Sequence, residues 1–201
     1  MTEYQTLNYE LEVLGVPKGE FMGEVFDPVT TLVNSKTSSK PYLSLLLKYL
    51  EKTSGSEKEM IIRALSEKGN SEAVPYLVKM FNESEDEITG SEELILYAAG
   101  NALFVINDKS SYAAILEICK RNNYGIALQR LLGTLARIKT DESYDILIEK
   151  LSDDELRGHS IEALGKLGDK RAIPILEDLE VVKGKYEFKA KQTALRKLYK
   201  L

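Results

Sequence analysis

Nucleophilic or acid–base chemistry at neutral pH usually recruits a histidine or a thiol, and this chain has one of each, His159 and Cys119. A Ser/His/Asp or Cys/His arrangement would have to use His159. That residue lies beside the apolar face of its helix-period stretch, the position of a surface or boundary side chain. Cys119 shares a helical apolar face with Ile115 and Leu116 and is expected as a small buried hydrophobe. A metal centre needs several converging ligands, and one His with one Cys supplies too few. Neither standard Gly-rich phosphate loop occurs in the sequence. Carboxylates are plentiful, yet no pair is marked by a motif. The expectation is therefore no catalytic, cofactor-binding or metal residue, and no cofactor.

Charge says more about partners. The 32 acids outnumber the 27 lysines and arginines, for a net charge of −5, which argues against general binding to a nucleic-acid backbone. Residues 1–35 carry six acids (Glu3, Glu10, Glu12, Glu20, Glu24, Asp27) against Lys18, and residues 181–201 carry seven bases against Glu187. Two solvated caps would give this asymmetry, and so would head-to-tail association or a charged partner at either end. Residues 82–93 hold six acids and no base. They lack the glycine and ligand spacing of a calcium loop, so they read as a solvated loop or a contact for a basic partner. No apolar run reaches membrane-spanning length, and the start, Met1-Thr2-Glu3-Tyr4-Gln5, has no signal-peptide pattern. With a lone cysteine, these features point to a cytoplasmic protein with no membrane association.

The elements that would carry any surface are helices. In the stretch 154–176, Ser160, Ile161, Ala163, Leu164 and Leu167 fall on one face of a 3.6-residue helix. Asp153 or Asp154 can cap its start and Gly168 can end it at positive φ. A second helix follows with Pro174 in its first turn and Leu176 and Leu179 on its apolar side. Two such helices cannot bury both faces alone and need stacked neighbours. Copies recur in register. Stepping back by 29, 32 and 38 residues carries Ala163-Leu164 to Thr134-Leu135, Ala102-Leu103 and Ala64-Leu65. The same steps carry Leu176 to Leu147, Ile115 and Leu77, and the turn residue Asp169 to Thr140, Asp108 and Asn70.

Arg157, Ala163, Leu164, Gly165, Gly168, Asp169, Ala172, Pro174 and Leu176 make a pattern that resembles the HEAT-like repeat family, in particular its short phycobilisome-lyase type. The resemblance covers roughly residues 55–201. It implies an all-α fold: an α-solenoid (α-α superhelix, armadillo-like) of about five stacked antiparallel helix pairs with terminal capping helices. The expected organisation is one continuous domain. Residues 1–35 form an N-terminal capping segment and a degenerate first helix. The solenoid fills 36–201, with pairs at about 55–83, 91–122, 124–152 and 153–181 and a final capping helix at 186–201.

In solenoids of this family the second helices line the concave face, which there binds a protein or peptide. That places the candidate partner-binding residues at Tyr76, Lys79, Tyr112, Glu117, Lys120, Tyr144, Asp145, Glu149 and Asp178, with the tyrosine rings partly exposed. The leading expectation is a non-catalytic protein-interaction scaffold, its partner a protein or peptide, basic where it meets the acidic repeats, and not a nucleic acid. Two alternatives stand beside it. One is an enzyme or small-ligand protein with a site in the groove, as in the DNA glycosylases or lyases built on related repeats. The other is an immunity-type inhibitor of a basic partner. Oligomeric state is open.

Overall fold

The computed structural model describes residues 1–84, 88 and 90–200, so part of the acidic stretch 82–93 lies outside the described residues. The chain divides into two compact units, residues 1–84 with 89–108 and residues 85–88 with 109–201. The boundary falls inside the pair expected at 91–122.

The first unit contains α1 (Glu3–Val13), a hairpin of β1 (Gly19–Phe21) and β2 (Glu24–Phe26), then α2 (Pro28–Asn34), α3 (Leu43–Leu50), α4 (Gly55–Leu65), α5 (Val74–Glu83) and α6 (Ser91–Ile106). Helices α2, α4 and α6 pack side by side, α3 and α5 back them, and α1 lies on α2 and α3. A capping box starts α1: Gln5 N donates to Thr2 Oγ1 at 3.1 Å while Thr2 N donates to Gln5 Oε1 at 2.9 Å. Leu7 and Leu11 anchor the helix in the core, and Asn8 Oδ1 accepts the Val29 amide at 2.9 Å. Asp27 caps α2 through the Thr30 amide at 2.7 Å. The hairpin was not legible in the sequence. Its two-residue turn is Met22-Gly23, both at positive φ, as the twist of a tight hairpin requires.

The second unit contains α7 (Tyr112–Lys120), α8 (Gln129–Ile138), α9 (Asp141–Glu149), α10 (Arg157–Leu167), α11 (Ala172–Asp178) and α12 (Tyr186–Leu198). Helices α8, α10 and α12 form one layer, and α7 and α9 pack together in the other. α8 packs on α9, α11 packs on α12, and α12 closes against α10. Apart from the short hairpin of the first unit, each unit is thus a helical stack of solenoid type.

The repeat register appears in the backbone as well as in the side chains. Leu77, Ile115, Leu147 and Leu176 are all fully buried, as are their first-helix counterparts Leu65, Leu103, Leu135 and Leu164. Asn107 (φ 54°), Lys139 (φ 58°) and Gly168 (φ 81°) are the left-handed C-caps of α6, α8 and α10, and Gly69 (φ 88°), in the turn four residues after the end of α4, takes the same conformation at the same 38-, 32- and 29-residue steps. A lysine suits that conformation poorly. Replacing the exposed Lys139 by glycine is expected to raise stability by about 1 kcal/mol, read as a higher denaturant midpoint; no change would show that the lysine side chain contributes as much as its backbone costs.

Two glycines on α10 set how closely α12 approaches. A Cβ built at Gly165 would lie 2.7 Å from both Cα and Cβ of Ala194, and one at Gly158 would meet the Tyr186 ring. Ala190, Ala194 and Leu198 seal the seam from the α12 side.

Candidate partner-binding face

Asp153 Oδ1 accepts from the amides of Glu155 (2.9 Å) and Leu156 (3.2 Å), so it caps the turn that leads into α10, whose N-cap position falls on Leu156 with no side-chain cap, rather than the helix itself as expected of Asp153 or Asp154. Arg157, the arginine of the repeat pattern, does not reach a neighbouring turn. It donates to Leu151 O at 2.8 Å and pairs with Asp154 at 2.6 Å.

The link between turns is made instead by Arg171. Its guanidinium meets Asp169 and Asp141, each at 2.5 Å, and lies 4.4 Å over the Tyr144 ring. Asp169 is held well below the usual carboxylate range, first by the Arg171 hydrogen bond. A second cation joins α7 to α9: Lys120 pairs with Glu117 at 2.6 Å and with Glu142 at 2.7 Å. These two acids, Glu117 first, raise its ammonium to about 12. Sequence reasoning missed Asp141, Glu142 and Arg171; the available signal was their position beside the equivalent turn residues Thr140 and Asp169.

Seven of the nine candidate residues lie in the second unit, and Tyr76 and Lys79 lie in the first. Lys79 pairs with Glu83 at 3.8 Å, and Tyr76 is half-buried in α5. Tyr112 is half-buried. Tyr144 departs from the expectation of a partly exposed ring: it is 8% exposed, covered by Arg171, and burial pushes its phenol above the ordinary value. Asp141, Asp145 and Glu149 are spaced four apart on α9 and all exposed, so they form one row. Asp178 is exposed on α11. Neither Asp145 nor Asp178 forms an ion pair with a described residue. Beside Asp178 an open cleft of about 820 Å³ is lined by Leu179, Phe188 and Leu195, with Glu177 and Lys191 at its sides.

Glu149 has a buried neighbour that the sequence did not announce. Lys150 is 2% exposed, and its ammonium donates to Arg121 O at 3.3 Å, to Asn122 Oδ1 and to Glu149 Oε1 at 3.3 Å. It thereby caps the C-terminal end of α7, where a cation is favoured by the helix dipole. Nearby Cys119 is fully buried, and burial pushes its thiol up to about 12 against the opposing pull of Lys150.

His159 sits half-buried at the other face, its ring centroid 5.3 Å from that of Tyr186 and Nδ1 3.4 Å from Tyr186 Oη. Burial lowers its pKa below 6.5. The unfolded chain therefore takes up the proton at higher pH than the folded chain, so stability is full above 6.5 and falls as pH drops through and below that value. Thermal melts between neutral pH and about pH 5 should show this slope, and His159→Gln should flatten it; an unchanged slope would assign it to other groups. Among the described residues, no cluster of three or more His, Cys, Asp or Glu is placed to hold a metal, and no helix is long and apolar enough to cross a membrane.

No curated protein and no solved structure matches the chain significantly. Residues 112–181, from the first residue of α7 through α11, match the family model described as HEAT repeats. With the buried leucine positions and the left-handed helix ends recurring in step, the stretch from α7 to α11 is similar to HEAT repeats.

Proposed function

We propose that the chain is a non-catalytic protein-interaction module that binds a basic protein or peptide on the outward side of α9 and α11. The observation that carries this reading is the distribution of unpaired charge. Arg171 and Lys120, exposed bases of this surface, are each consumed by two acids. Asp145 and Asp178 remain, and Asp178 stands at the apolar lining of the α11–α12 cleft. A partner surface needs such an apolar part with charged groups at its rim, and acids without local partners favour a cationic one. HEAT repeats commonly serve as protein-interaction scaffolds.

The test is affinity capture from a lysate with the wild type and with Asp145→Lys/Asp178→Lys, checked for equal helicity by circular dichroism. Those two positions avoid Glu117 and Glu149, which hold lysines in place. The reading expects a protein retained by the wild type and released by the variant. Equal retention by both, or nothing retained by either, would overturn it.

A further inference from the structure

The strongest unpaired charge of the second unit lies outside the acidic face, on the outer side of α12. Lys189 and Arg196 stand seven positions apart on that helix, and Lys185 and Lys200 continue the row at either end. At 100° per residue Lys189 and Arg196 fall within one narrow stripe about 10 Å long, and Lys185 and Lys200 lie just beyond the two ends of the helix. All four are exposed, and none forms an ion pair with a described residue. Lys191, on the inner side, is different: it donates to the carbonyls of Glu177 and Leu179, each at 2.8 Å, and ends α11.

The acids of residues 1–35 offer no matching free stripe. Glu3 pairs with Lys52, Glu10 with Lys48 and Glu12 with Lys18, and Asp27 is spent as a helix cap. The uneven charge of the two ends of the sequence is thus mostly neutralised at one end and left open at the other.

The chemistry of the row narrows its occupant. The apolar side of α12 is used against α10, so the helix has no face to insert into lipid. Between Lys189 and Arg196 the row holds Gln192 and no aromatic ring on which a base could stack. What fits is an acidic protein surface, and the chain carries one: Asp145 on α9 and Asp178 on α11, exposed and without ion pairs among the described residues, while Asp141 and Glu149 beside Asp145 on α9 already pair with Arg171 and Lys150. Both surfaces point away from the core of their own unit, so they can meet only between molecules.

We infer that a second copy of this chain is the occupant, with α12 of one molecule docking on the α9–α11 acidic face of the next. This rests on the acidic-face reading above and names its partner. The two surfaces differ, so the contact is heterologous: a pair can close by exchanging two such contacts, or copies can add in a line. The salt dependence has a definite sign. Each copy carries a net −5, so general repulsion would make association tighten with salt, whereas complementary rows make it weaken.

Sedimentation of the full chain over a range of concentrations tests this. The wild type is expected to exceed monomer mass, with the association constant falling about tenfold between about 0.05 M and about 0.5 M salt. Asp145→Lys/Asp178→Lys and Lys189→Glu/Arg196→Glu should each abolish self-association. Their equimolar mixture, and the chain carrying all four changes, should associate again. A wild type that stays monomeric, association that tightens with salt, or a mixture that fails to associate would overturn the inference. If the wild type is monomeric but the acidic-face variant still loses a captured protein, this inference falls and the acidic-face reading stands. No captured protein together with a monomeric wild type removes both.

Discussion

Gly165→Ala is expected to destabilise the second unit by about 1–3 kcal/mol, although alanine is the better helix former by about 1 kcal/mol. The new methyl would sit 2.7 Å from the backbone of Ala194, and backbone cannot rotate aside as a side chain can. Helix α12 has to back away, which loosens Ala190, Ala194 and Leu198 together. Gly158→Ala is the control on the same helix. The obstacle there is the Tyr186 ring, which is 44% exposed and can swing outward, so a change within about 1 kcal/mol is expected. Hydrogen exchange of the α12 amides separates the two: fast in Gly165→Ala, near wild type in Gly158→Ala. Equal behaviour of the two variants would refute the distinction between backbone and side-chain contact.

Lys150→Met keeps most of the side-chain volume and removes the ammonium. The Arg121 carbonyl and the Asn122 side-chain oxygen then lose a charged donor at the buried end of α7. Hydrogen bonds to charged groups contribute about 1.5–3 kcal/mol each, and Lys150 makes these from a position only 2% exposed. A loss of about 2–3 kcal/mol is expected, lowering the melting temperature by about 4–12 °C at this chain length. The end of α7 should fray first. Alkylation of Cys119 under native conditions reports that directly: slow in the wild type, faster in the variant. Unchanged stability and unchanged alkylation would show that Lys150 fills space without capping α7.

The repeats were legible because they rest on periodicity. The 29-, 32- and 38-residue steps found in the apolar residues are the steps at which the backbone turns left-handed. Lys139 and Asn107 hide two of those turns from any search for glycine, yet the apolar register locates them. What stayed hidden depends on contacts rather than pattern. The hairpin at 19–26 is three residues per strand, too short for an alternation signal. Arg171 reads as one more surface charge until its turn is placed over Asp141 and Tyr144. Lys150 follows Glu149 in a polar-looking stretch, and nothing in its residue type announces burial. Of the candidate residues, Asp145 and Asp178 lie exposed as their helical positions suggest. Tyr144 does not, because the cation that covers it comes from the neighbouring pair.

The burial of Cys119 has a practical corollary for labelling. The chain's one thiol is fully enclosed and stays protonated well above neutral pH, so maleimide chemistry needs no cysteine-free background. A cysteine introduced at Asp178 or Lys189 would be the sole reactive site in the native protein and could carry a fluorophore or spin label. The same shielding makes a covalent dimer through Cys119 diagnostic: its appearance under oxidising conditions would report that α7 had opened.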